Sequence, residues 1–155
     1  MSIPLLTALE NYYSLVDKAT KNPAIVAPSE LDFVPGVGDD LESMIWVLTY
    51  TIMLHHQESL KGSDKADYKR DVVDTFYGGL SYAGLVKERE LMVYRSTNPL
   101  SRRPEEWISD PTQRKWFRNA MTLVSDRLRP STDGSIKTIT FDAFDALCDE
   151  FITDE

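Results

Sequence analysis

The chain predicts an all-α, mostly helical domain of about six helices packed around a buried central helix. Three observations predict it. Apolar residues return at steps of three and four in segment after segment, and no stretch alternates convincingly enough for a strand. Met44 to Leu54 is an apolar run interrupted only by Thr49 and Thr51, which requires protein on both faces of that helix. Helix punctuation is explicit, most clearly at Asp110-Pro111-Thr112-Gln113, with a capping Asp, Pro at the first position and Gln at the third. The 155 residues amount to one domain, and a 42% hydrophobic, 10% aromatic composition suits a packed core. Residues 1–155 are read as a single domain without internal repeats.

The elements follow in order. Residues 3–20 form an amphipathic helix through Leu5, Leu9, Tyr12, Val16 and Ala19, beside Leu6 and Tyr13, with Ser2 as its cap. Asn22-Pro23 stops it, and Pro23, Pro28, Pro35, Gly36 and Gly38 make residues 22–38 a Pro/Gly-rich connector. The central helix spans about 40–57, capped by Asp39, with Glu42 three residues on as the capping-box acid. Lys61-Gly62-Ser63 breaks it, and Asp64 opens a helix with Tyr68, Val72, Val73 and Phe76 on one side. Gly78-Gly79 and Gly84 interrupt the next apolar stretch, which resumes as a helix through Leu85, Val86, Leu91 and Met92. Residues 95–104 are loop-like. Trp116, Phe117, Ala120, Met121, Val124 and Leu128 trace the stripe of the helix that Asp110 caps. Pro130 to Gly134 turns the chain, and a short extended piece at Ile136–Ile139 precedes a last helix. Thr140 caps that helix, and Phe141, Phe144, Leu147, Cys148 and Phe151 face inward.

Composition excludes several classes. Net charge is −8, acidic at both ends and basic in the middle, which opposes general nucleic-acid binding because phosphate neutralisation needs a basic surface. The one cysteine, Cys148, allows no intrachain disulfide and fits a reducing compartment. The N-terminal stretch Ile3–Leu6 lacks the basic flank of a secretory signal, and Met44–Leu54 is shorter than the roughly 20 apolar residues that a bilayer requires. An intracellular protein, cytoplasmic or nuclear and not membrane-bound, is expected.

Asp39-Asp40-Leu41-Glu42-Ser43, running into Met44-Ile45-Trp46-Val47-Leu48-Thr49-Tyr50, resembles the start of the central C-lobe helix of casein kinase I and the fungal-type protein kinases. Ile139-Thr140-Phe141-Asp142-Ala143-Phe144 is similar in kind to the start of the last helix in fungal-type kinases. The resemblance is specific over about a dozen residues and extends weakly across 36–155. It implies a C-lobe-like fold in which Asp40 matches the acid that holds the catalytic-loop backbone; Ile45 stands where many kinases have glycine. Catalysis is not implied. Phosphoryl transfer needs a glycine-rich phosphate cover, a strand lysine, a catalytic Asp and Asn, and a magnesium-binding Asp before Phe-Gly. No His-Arg-Asp or Asp-Phe-Gly occurs, and Gly36-Val37-Gly38 runs into two carboxylates that would repel phosphate. Ala27-Pro28-Ser29-Glu30 echoes the Ala-Pro-Glu that closes an activation loop, but with one residue too many.

Other constellations are weaker. Thr132-Asp133-Gly134 looks like half a calcium loop, but Lys137 then stands where glycine belongs and Ala143 where the bidentate Glu belongs. His55 and His56 are adjacent, about 100° apart on a helix, and cannot present a two-ligand face. Asp149 and Glu150 beside Cys148 would raise its thiol pKa, so it is no nucleophile. Arg102, Arg103, Arg114, Lys115 and Arg118, near Trp107 and Trp116, form the basic concentration. It reads either as a partner site for acidic peptide or phosphate, since Arg forks match both, or as a solvated face balancing the acidic last helix. No cofactor and no metal are expected. The function expected is a non-catalytic module that docks a protein partner, with self-association as one form. The alternatives are one half of a split kinase acting in trans, and a helical adaptor or effector whose likeness to kinases is chance.

Overall fold

The computed structural model describes residues 1–77, 81–101, 105, 108–129, 132 and 137–149, with backbone alone at 71, 73–75 and 77. They form one all-α domain of six helices: α1 (Ile3–Lys21), α2 (Val37–Ser59), α3 (Gly62–Tyr77), α4 (Tyr82–Thr97), α5 (Pro111–Leu128) and α6 (Phe141–Asp149). No strand occurs among the described residues, and residues 137–140 lie without regular structure. The expectations placed on Val73, Gly78, Gly79, Trp107, Pro130, Asp133, Gly134, Ile136 and Phe151 lie outside the described residues or side chains.

Local chemistry explains most boundaries. Ser2 caps α1, its hydroxyl accepting from the Leu5 amide, and Pro4 sits in the first turn where no amide is needed. Asp110 caps α5 through the Gln113 amide at 2.8 Å. Thr140 caps α6 through the Ala143 amide, and Ser81 caps α4 through Gly84. Leu60 and Lys61 separate α2 from α3, and Gly62, the first residue of α3, takes φ 64°, a backbone conformation that L side chains avoid.

The start of α2 departs from expectation. The helix begins at Val37, with Gly36 at the cap, so Asp39 is the third helical residue. Its carboxylate still reaches back to accept the Gly36 amide at 2.9 Å, the reciprocal half of a capping box without a capping side chain. Glu42 has no part in capping α2. It is fully buried.

The core is built from Trp46, Tyr68, Trp116, Phe117, Met121 and the aliphatic residues around them. α4 lies among α1, α3 and α5; α2 packs on α3 and α5, and α6 on α5. The α5 stripe is as expected: Trp116, Phe117, Ala120, Met121 and Val124 are all without solvent exposure. α2 is not enclosed on both faces. Ile45, Trp46, Thr49, Ile52 and Met53 are buried, whereas Met44, Val47 and Leu54 are exposed. An apolar run interrupted only by two threonines hides its own periodicity, so which face is covered was not legible from hydropathy alone. Phe141, expected inward, is 61% exposed at the first turn of α6, while Phe144 and Leu147 are the residues that α6 buries.

Candidate functional site

The densest chemistry lies where the starts of α1 and α2 meet the last turn of α5. Glu42 stands in line with Ile45, Trp46 and Thr49 on the buried face of α2, and Arg127 follows Ala120 and Val124 on the buried face of α5. Both charges therefore enter the protein by helical periodicity. Arg127 Nη1 donates to Glu42 Oε2 at 2.6 Å and to the Gly38 carbonyl at 2.9 Å, and Nη2 donates to Asp39 Oδ1 at 2.5 Å. Glu42 Oε1 accepts the Ile3 amide at 2.6 Å and the Trp46 indole at 3.1 Å, and Ser2 donates to Asp39 Oδ1 at 2.9 Å. Burial alone would raise the Asp39 pKa, but the Gly36 amide, Arg127 and Ser2 outweigh it and hold the carboxyl below its ordinary value.

Arg89 lies alongside, buried on α4. It donates to the Met1 carbonyl, and its guanidinium carbon sits 4.8 Å from the Trp46 ring centroid. Burial lowers its pKa to about 10, opposed by Glu42. Every carboxylate oxygen of Asp39 and Glu42 accepts a bond, so the cluster is a lock between helices and offers no free base or nucleophile. Arg127 and Arg89 were not singled out in the sequence, and Ser2 was read there only as the cap of α1. The signal was available for the first two: a charged residue in register with an apolar stripe.

Asp40, the residue that matches the kinase acid, is exposed one step round the helix from this lock, and its side chain bonds no described residue. Arg114 and Arg118 are brought together on one face of α5, but both are engaged. Arg114 donates twice to the Ile108 carbonyl, at 2.9 and 2.7 Å, and Arg118 approaches the buried Glu105 at 3.3 Å. They pin Glu105 and Ile108 to α5 more than they offer a cationic surface; Arg102 and Arg103 lie outside the described residues. His55 is exposed and His56 is buried against Tyr68, with ring centroids 5.3 Å apart. No group of three metal-ligating side chains occurs among the described residues.

Two surface features remain. A groove of about 500 Å³ runs between α1 and the connector, lined by Ile3, Tyr12, Leu15 and Leu31 together with Glu30, Asp32 and Glu90. Three carboxylates and no cation give it the wrong sign for a phosphate ligand. The second feature is the uncovered face of α2, where Val37 is 52% exposed, Met44 50% and Val47 62%. No described helix is long and apolar enough to cross a membrane. No protein-family model, no curated protein and no solved structure matches the chain.

Proposed function

We propose that the chain is a non-catalytic protein-interaction module, akin around α2 to a kinase C-lobe, whose exposed α2 face is covered by another polypeptide. The row of exposed apolar side chains Val37, Met44, Val47 and Leu54 carries this reading, because apolar side chains grouped on one uncovered helix face mark an interaction site. The carboxylates of the Asp-Asp-Leu-Glu-Ser segment support the non-catalytic part, since Asp39 and Glu42 are consumed in the lock with Arg127. A photo-reactive residue replacing Val47 should give an adduct of defined mass in cells, and one replacing Lys69 on α3 should not. Failure of both positions to give an adduct would refute the reading.

The exposure of Asp40 at the head of the same face favours a second reading, in which another chain completes a split kinase around α2. Asp40→Asn separates the two. It would abolish phosphoryl transfer by an assembled pair and leave the adducts of a plain interaction module unchanged.

A further inference from the structure

The exposed positions along α2 form a regular series. Val37, Asp40, Met44, Val47, Thr51, Leu54 and Glu58 are all exposed, separated by alternate steps of three and four. This is the seven-residue repeat of a helix–helix seam, which keeps one narrow stripe facing a partner helix along its whole length. The positions opposite the stripe, Glu42, Thr49 and His56, are all buried. The same helix thus keeps one register toward its own domain and a second toward something outside it.

We infer that the outside partner is a second copy of this chain, with the two α2 helices antiparallel. The stripe is its own complement when reversed. Placing Val37 against Leu54 of the second copy puts Met44 against Val47 and Asp40 against Thr51, and the same layers repeat across the two-fold axis. Ser43 then flanks Tyr50. Such self-complementarity is what an isologous interface requires.

Charge chooses the direction. Side by side in the same direction, Asp40 would meet Asp40 and Glu58 would meet Glu58 within the seam. Antiparallel, the two Asp40 side chains are separated by eleven residues of rise, about 16 Å at 1.5 Å per residue, and Glu58 passes beyond the first residue of the opposing helix. That separation exceeds the screening length of about 8 Å at physiological salt, so the repulsion that disfavours the parallel pair is largely absent.

This inference rests on the reading of the α2 face as an interaction surface and names its occupant. The test uses the purified full chain with Cys148→Ser, so that introduced cysteines are the only thiols. Sedimentation equilibrium should show a concentration-dependent dimer, and Met44→Glu/Val47→Glu should leave monomer alone with the helical circular dichroism unchanged. Mixing a Val37→Cys chain with a Leu54→Cys chain under mild oxidation should give the mixed disulfide far in excess of either homodimer. Disulfides within each single variant, in preference to the mixture, would overturn the antiparallel arrangement. A wild type that stays monomeric, or a dimer that survives the double Glu substitution, would overturn the second copy as occupant. Val47 adducts to a different protein would then leave the broader reading standing.

Discussion

Arg127 decides more at the scale of single residues than any side chain in the motif that first draws the eye. Its guanidinium neutralises Asp39 and Glu42 inside the protein while also holding the Gly38 carbonyl. Arg127→Met removes the cation and leaves two carboxylates buried, for which we expect a loss of about 3–5 kcal/mol, read as a lower urea midpoint at neutral pH. The same lock sets the acid limb of stability. The Asp39 pKa is lowered in the fold, so its contribution is complete above the ordinary aspartate value of about 3.9 and is lost as pH falls through the lower folded value. Stability measured from pH 6 down to 3 should therefore fall more steeply in the wild type than in Asp39→Asn. Equal slopes would show that Asp39 is not the titrating group.

At the scale of elements, α2 is tied down at its head and open along its side. Gly38 is where residues 138–139 pass closest. A methyl group there would meet Thr138 Oγ1 at 2.1 Å and both Thr138 Cβ and the Ile139 amide at 3.3 Å. Rotating Thr138 relieves only the first contact, so Gly38→Ala should cost about 1–3 kcal/mol, whereas alanine in an exposed helical turn would ordinarily stabilise. A denaturation midpoint equal to the wild type would contradict this packing. Trp46→Ala should cost about 3–5 kcal/mol, because it vacates the core and strips a donor from Glu42. Six helices, their order and the α5 stripe were legible in the sequence, since caps such as Asp110 and breaks such as Gly62 are written in local chemistry. What was not legible depends on distant partners. Asp39 and Glu42 looked like capping acids because nothing local revealed that Arg127, 88 and 85 residues away, closes on them. The covered side of α2 was hidden for a related reason: with apolar residues all round, only the neighbouring helices determine which are buried.

For the whole molecule, the acidic balance and the anion-repelling groove predict that the isolated chain does not bind magnesium ATP. Micromolar binding by calorimetry, lost on chelating the metal, would contradict this. Salt discriminates between modes of association. A dimer closed by Val37, Met44, Val47 and Leu54 should persist or tighten from low to high salt, because excluded ions strengthen apolar burial. Docking through Arg114 and Arg118 should weaken instead as their charges are screened. Cohesion is also uneven across the fold. α6 has nine residues, packs chiefly on α5 and buries only Phe144 and Leu147. Its half-buried Cys148 has a thiol pKa raised by burial and by Asp145 and Asp149. That makes the chain's single thiol a built-in clock. A maleimide or disulfide reagent should modify it at the rate at which α6 lifts away, faster than global unfolding allows, so the detachment of one helix can be timed without adding any probe to the protein.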